Sequence, residues 1–583
     1  MLTKGLKLTA MYAFDVYNEI HVHQDRAEST YNFLDTSVPY DMNGQPILQR
    51  IYEGSNVLSY TQETSGNKKT YLEASLNYDR TFNDDHRVSA LFLFNQQSKL
   101  LYPKGTLEDA IPYRMMGIAG RATYSWKDRY FAEFNIGYNG AENFSPKHRF
   151  GTFPAFGVGW VVSNEKFWQP LSKAVSFLKI RYTDGKVGNS EVSDRRFMYL
   201  DQMKENGDYG YKFGPNGTKW SGYETVNMAV DLIWEESRKQ DLGIDLKLFN
   251  DDLSIVFDLF KERRENILLK REHSIPSFLG YNTSAPYGNI GIIENKGFDG
   301  TIEYNKRINK DWVIALRGNV TFNKDKWIQG ELPEQKYEWM NQYGHNINGV
   351  KGYVAEGLFT QAEIDDMARW ESLSDANKAI TPKPFASQFG TVKAGDIKYK
   401  DLNNDGQIDA YDQTYISRGD VPTTVYGFGF TVGWKDLSVG MMFQGVAGAE
   451  RVLNGSSVNP FNGGGGSGNL YSNIGDRWTE ENPDQNAFYP RLSYGSETTS
   501  NINNFQKSTW WVRNMNFLRL KTLQISYNLP KPWVNKVHLK NAAVYVMGTN
   551  LFTLSRFKLW DPELNTDNGA SYPNTTSYSV GIN

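Results

Sequence analysis

The stretch TYLEASLNYDRTF, residues 70–82, decides the fold class. Leu72, Ala74, Leu76, Tyr78 and Phe82 fall on one face of an extended chain, and Glu73, Ser75, Asn77, Asp79 and Thr81 fall on the other. Arg80 is the one interruption. A two-residue period marks a strand with one apolar and one polar face, because successive side chains point to opposite sides of the pleat. RYFAEFNIGYNG, residues 129–140, repeats the pattern, with Tyr130, Ala132, Phe134, Ile136 and Tyr138 opposite Glu133, Asn135, Gly137 and Asn139. Similar alternation runs through 242–249, 253–260, 312–322, 426–434, 437–443, 523–527 and 578–582. These segments are about ten residues long, the length that crosses a bilayer obliquely.

The connections carry more information than the strands. Short turns fall near 83–85, 127–129, 250–252, 309–310, 435–436 and 529–536, and long polar loops fall between them at roughly 98–115, 188–237, 265–295, 324–423, 448–512 and 553–574. A soluble sandwich or propeller has no reason to gather every long loop at one end of its hairpins. A transmembrane antiparallel β-barrel does so, with short periplasmic turns and long extracellular loops. About sixteen strands are expected on this pattern, from Leu6–Tyr17 to Ser577–Asn583. The fold class is therefore all-β.

Composition narrows the function. The 583 residues carry 63 basic and 66 acidic side chains, a net charge of −3, which leaves no electrostatic footprint for nucleic acid. Cysteine is absent, so thiolate catalysis and cysteine zinc sites are excluded, and seven scattered histidines form no HExxH cluster. No run of eighteen apolar residues exists, which excludes a helical span and leaves a strand span open. The carboxylate pairs Glu235-Glu236 and Asp365-Asp366 are adjacent and would point to opposite faces of a strand, unlike the two carboxylates of a sugar hydrolase. FNGGGGSGNL, 461–470, lacks the GK[ST] ending of a phosphate cradle and reads as a flexible loop. No enzyme is expected.

Eight segments together carry a resemblance: YLEASLNYDRTF (71–82), GIAGRATYSWKDRYFAEFNIGYNG (117–140), FGTFPAFGVGWVVSNEKFW (150–168), LKIRYTDGKVGNSE (178–191), WEESRKQDLGIDLKLFNDDLSI (234–255), NIGIIENKGFDGTIEYN (289–305), GDIKYKDLNNDGQID (395–409) and FLRLKTLQISYNLP (517–530). The chain resembles the SusC/RagA family of TonB-dependent outer-membrane transporters along essentially its whole length. That resemblance implies a barrel of about 22 strands with an internal plug. It implies a SusD-like surface lipoprotein as a lid, energy from TonB-ExbB-ExbD, and import of oligosaccharides or peptides across the outer membrane of a Gram-negative bacterium. Residues 1–583 would then be the C-terminal part of the barrel, without the plug, the N-terminal extension or about six strands. Two other readings stay open: a soluble extracellular carbohydrate-binding β-protein stabilised by calcium, and an unplugged pore of sixteen strands closed on itself.

DLNNDGQIDAYD, 401–412, lies in the longest loop and approximates a calcium-binding loop. Asp401, Asn403, Asp405 and Asp412 would offer side-chain oxygens, Gln407 its backbone carbonyl, and Asp409 a ligand directly or through water. The twelfth residue is Asp where an EF-hand prefers Glu, and GDIKYK before the loop reads as a strand. The same residues equally suit an Asx-rich turn held by its own side chains. Aromatic residues make up 14% of the chain, which suits the girdles of a membrane barrel and also a sugar-stacking surface. Trp220, Tyr223, Trp339, Tyr343, Tyr471 and Trp478 are the candidate contacts with ligand or partner, and Glu133, Asn135 and Arg317 the candidates for the lumen face.

Overall fold

In the computed structural model, residues 4–583 are described apart from 35–37, 103–109, 192–195, 213, 216, 218, 228, 277, 279–284, 456–457, 459–469, 494–501 and 537. The glycine-rich stretch at 461–469 thus lies outside the described residues. Sixteen strands form one antiparallel sheet in chain order. They are β1 Leu6–His23, β2 Thr61–Phe82, β3 His86–Tyr102, β4 Tyr113–Trp126, β5 Tyr130–Ala141, β6 Phe150–Val161, β7 Val175–Asn189, β8 Glu235–Leu248, β9 Leu253–Lys270, β10 Tyr287–Arg307, β11 Trp312–Gln329, β12 Thr424–Trp434, β13 Leu437–Ala447, β14 Phe517–Asn528, β15 Ala543–Ser555 and β16 Ser577–Ile582.

Register carries one apolar face across the sheet. Leu242 on β8 pairs with Leu259, Leu259 with Phe298 on β10, and Phe298 with Phe322 on β11. One row lower, Ile244 pairs with Phe257. Leu316, Ile302 and Phe428 are exposed, so this face is not the inside of a core. The opposite face carries Glu133, Asn135, Arg181, Asp258 and Arg317, and a one-residue slip in any strand would exchange the two.

The turns explain the sharp reversals. Asn83 and Asp84 have φ of 50° and 57°, and Lys127 and Asp128 have 52° and 51°, the left-handed pair that two-residue hairpins need to match strand twist. Aromatic rings gather at this end. Trp126 stacks on Tyr130 and Tyr130 on Trp160, with centroids 5.7 and 6.4 Å apart, and Trp312 meets Trp434 at 6.1 Å. Lys127 and Lys435 sit over Trp126 and Trp434. An apolar ring body with a polar or cationic tip suits a membrane interface.

One feature differs from the sequence expectation, and one of the alternative readings is not met. Several strands are much longer than ten residues, β2 having 22 and β10 having 21. The extra length lies toward the loops, where Lys and Glu replace the apolar residues and alternation no longer reveals a strand. The sheet is also open. Among the described residues β1 pairs with β2 alone and β16 with β15 alone, so the self-closed pore is not the arrangement found.

The apolar cores lie in the loops. The larger unites Tyr353, Ile397, Tyr399, Leu453, Tyr489 and Trp511 from the loops 330–423, 448–516 and 556–576. A smaller one joins Phe144, Phe153, Met198, Leu232 and Trp234 beside β6.

Candidate translocation face and loop-layer site

On the polar face, Glu133 accepts a hydrogen bond from Asn135 at 2.8 Å, and both line a recess of about 700 Å³ with Arg87, Arg121, Lys179 and Arg181. Arg181 is held by Asp258 at 2.6 Å, Asp241 at 3.2 Å and Asp245 at 3.3 Å. Gly243 makes room for it, since a Cβ there would lie 2.4 Å from the Arg181 Cζ. Arg317 pairs with Glu303 at 2.9 Å on the same face. All three expected lumen residues therefore lie on the polar side of the wall, among paired charges.

Loop 330–423 folds around one short helix and one buried charge. Helix α1, Gln361–Glu371, starts at a capping box in which Thr360 accepts from the Glu363 N–H and Glu363 accepts from the Thr360 N–H. Met367 is the buried side chain that ties it down. Asp365 and Asp366 lie on this helix rather than on a strand. Asp365 accepts from Gln361, and Asp366 pairs with Arg369. The signal TQAE, a capping-box pattern, is present in the sequence and marks the helix start. Glu235 and Glu236 do lie on a strand, paired with Arg264 and Lys186.

Asp396 is fully buried and accepts from Arg491 through both oxygens, at 2.9 and 3.1 Å. The Lys393 N–H and the Asn504 amide complete its shell. Asn504 accepts from the Ile397 N–H, and Asn503 donates to the Ile397 carbonyl, so loop 448–516 is stitched to loop 330–423. Burial pushes the Asp396 carboxyl above its usual range, more than Arg491 draws it down. For Glu363, burial also acts upward, but Lys398 at 2.8 Å and the Thr360 hydrogen bonds outweigh it and hold the carboxyl low.

The 401–412 loop engages most of its side-chain oxygens locally, but Asp401 Oδ1 is buried without a hydrogen-bond partner. Asp401 accepts from the Gly406 N–H, Asn403 from Asp405, Asp405 from Gln407, and Asp409 from Tyr411, all at 2.7–3.0 Å. Asp412, fully buried, accepts from the N–H groups of Leu402 and Asp409. Gly406 takes the sharp turn at φ +83°, which an L side chain resists. A strand at Ile397–Tyr399 precedes the loop, as expected, and a 3₁₀ turn at Ala410–Asp412 closes it. Among the described residues no group of three or more His, Asp or Glu side chains is gathered as a metal ion requires. The hydrogen bonds formed are those of an Asx-braced turn.

The expected contact aromatics separate. Trp478 is buried in the larger loop core, where it packs rather than presents a ring, and this corrects its assignment as a contact. Trp339 stacks on Tyr337 at 4.6 Å and donates to the Tyr411 carbonyl, bracing the 401–412 turn. Tyr343 donates to the Leu332 carbonyl and Tyr471 to that of Asn568. Tyr223 is exposed on a hairpin of Gln202–Lys212 and Lys219–Asn227, and Trp220 occupies a register position opposite Tyr211 there. Sequence reasoning missed a recess of about 760 Å³ between Glu356, Glu363, Lys398, Gln485, Asn486 and Trp510, which two loops build jointly. A second, of about 540 Å³, lies between Tyr471, Phe488, Arg513, Arg556 and Lys558.

No family model matches the chain. Its relatives nevertheless agree. It is 25% identical over 498 residues to TonB-dependent receptor P3 of Formosa agariphila, covering 80% of this chain and 45% of that protein. It is 23% identical over 479 residues to the TonB-dependent receptor SusC of Bacteroides thetaiotaomicron, covering 79% and 43%. The solved RagAB peptide transporter superposes with a TM-score of 0.71 at 19% identity, over all of this chain and 60% of that one. The fold is thus the wall of a TonB-dependent receptor barrel. Within that class the chain is similar to SusC in sequence and to the RagAB transporter in fold. It spans about half the length of the relatives it matches.

Proposed function

We propose that this chain forms the loop-bearing wall of an importer in the outer membrane of a Gram-negative bacterium, driven through TonB-ExbB-ExbD and lidded by a SusD-like surface lipoprotein. One observation carries the reading: a single apolar face runs through sixteen strands while every connection longer than about fourteen residues leaves from the same end. A soluble carbohydrate-binding protein would bury that face in its own core, and here it is exposed. The cargo is an oligosaccharide or a peptide. RagAB is a peptide transporter, and a recess lined by Trp510, Asn486, Gln485 and two carboxylates can meet either through stacking and hydrogen bonds.

The test is fractionation of the full-length protein together with uptake of labelled oligosaccharide and peptide pools by cells with and without TonB. Recovery in the outer-membrane fraction and TonB-dependent accumulation of one pool are expected. A monomer that stays soluble without detergent would overturn the reading.

A further inference from the structure

The outward face changes character at one height. On β11 it reads Trp312, Ile314, Leu316, Gly318, Val320, Phe322, then Lys324 and Lys326. The ten steps along the strand from Trp312 to Phe322, at about 3.3 Å each and tilted about 40°, rise about 25 Å, the height of the apolar band of an outer-membrane barrel. Lys324 therefore sits where the band ends on the loop side.

Its neighbours repeat it. Lys261 on β9 pairs with Lys296 on β10, and Lys296 pairs with Lys324 on β11. Each lies two residues loopward of the apolar row Leu259–Phe298–Phe322. Three lysines directly opposite one another on adjacent strands repel, an arrangement that costs stability unless an anion lies between them. Glu294, one row higher, takes Lys261 at 3.3 Å and Lys326 at 3.6 Å. Among the described residues, neither Lys296 nor Lys324 has an ion-pair partner, and both are exposed. The outward positions at and above this row on β8 to β11 hold Arg238, Lys261, Arg263, Lys296, Lys324 and Lys326 against the carboxylates Glu236, Glu265 and Glu294. The lysine row does not extend sideways: it passes to Gln240 on β8 and Asp184 on β7, and β12 begins only at Thr424, opposite Phe322.

We propose that Lys261, Lys296 and Lys324 form a seat for the phosphorylated headgroup of an outer-leaflet lipid whose acyl chains lie along Leu259, Phe298 and Phe322. Cross-strand spacing of about 5 Å lets three ammonium groups converge on one or two phosphates. The apolar row continues directly below, so the occupant joins an anionic head to a hydrocarbon body, which a free phosphate ion or a protein loop does not. The inference rests on the wall reading above.

The test uses the full-length protein in detergent and native mass spectrometry with lipid A, a bisphosphorylated acylated disaccharide. Lipid A stripped of phosphate and inorganic phosphate alone are the comparison probes. Lys261→Gln with Lys296→Gln and Lys324→Gln should lower lipid A retention at least about tenfold, and the triple Arg variant should restore it. Phosphate-free lipid should bind wild type and the Gln variant alike. Should the triple Gln variant not fold, K296Q alone should still lower retention severalfold. Equal retention by wild type and a folded Gln variant overturns the seat, as does full retention of the phosphate-free lipid. Saturation by inorganic phosphate with no lipid preference overturns the lipid as occupant. Failure of the wild type itself to enter bilayers counts against the wall reading instead.

Discussion

The wall and the loop layer solve opposite problems with the same residue types. In the wall, Leu316, Ile302 and Phe428 point outward and stay exposed, while charges such as Arg181 and Arg317 turn inward and pair. In the loop layer, Tyr399, Trp478 and Trp511 turn inward, and the fully buried charge Asp396 is met by Arg491, Asn504 and Lys393. The wall is a sheet with its apolar side to the solvent; the loop layer is an ordinary protein core carried on top of it. Stability in the second comes from apolar burial and long-range hydrogen bonds, whereas the first needs a surrounding medium that accepts apolar side chains.

The largest effect that tests this contrast is loss of the buried pair. Arg491→Ala strips the buried Asp396 carboxyl of its cation and two hydrogen bonds and should cost the loop layer about 3–5 kcal/mol. Faster hydrogen exchange is expected across 387–408 and 487–504 with the strands β8 to β11 unchanged. Equal loss of protection in both regions would mean that they do not behave separately.

Next comes the one-residue inversion at 316–317. Leu316→Arg places a charge on the outward face near mid-height and should cost about 2–4 kcal/mol in bilayer refolding, while Arg317→Leu, on the other face, should cost far less. Similar penalties for both would dissolve the distinction between the faces.

Smaller still is the cap of α1. Glu363→Gln should cost about 0.5–1 kcal/mol, given that the group is partly exposed. Because the folded carboxyl is held low, its contribution is complete above the ordinary glutamate range, near 4.3, and fades as pH falls through the lowered value. Proteolysis near 360–371 should therefore rise in acid for wild type and change less for the variant.

The smallest effect concerns 401–412. With five of its side chains already accepting from backbone N–H groups, chelator should leave cleavage of this loop unchanged. Marked protection by added calcium would restore the cation reading.

Legibility in the sequence follows the same division. The wall could be read from residues 70–82 because a strand's pleat repeats every two residues and its consequence is local. Even there the strand ends were lost, since Lys261, Glu294 and Lys326 continue the ladder after hydrophobic alternation stops. The loop layer is built from partners such as Asp396 with Arg491 and Ile397 with Asn504, about a hundred positions apart, and no periodicity connects them. That is why Trp478 read as an available ring when it is a packed one. Asp365 and Asp366 misled for the opposite reason: the helix that holds them announces itself at Thr360 and Glu363, a cue of four residues inside a loop of nearly a hundred.

Among the described residues the outer edges of β1 and β16 have no strand partner, which matters for handling residues 1–583 as an isolated polypeptide. Each presents a line of amide and carbonyl groups able to recruit another extended chain, and Tyr12, Tyr578 and Val580 beside them are widely exposed. Unless something docks along both flanks, copies of this sheet can add to one another end over end. The preparation would then grow as ribbons whose mean length rises with concentration, and the population by sedimentation would read out how well those flanks are covered.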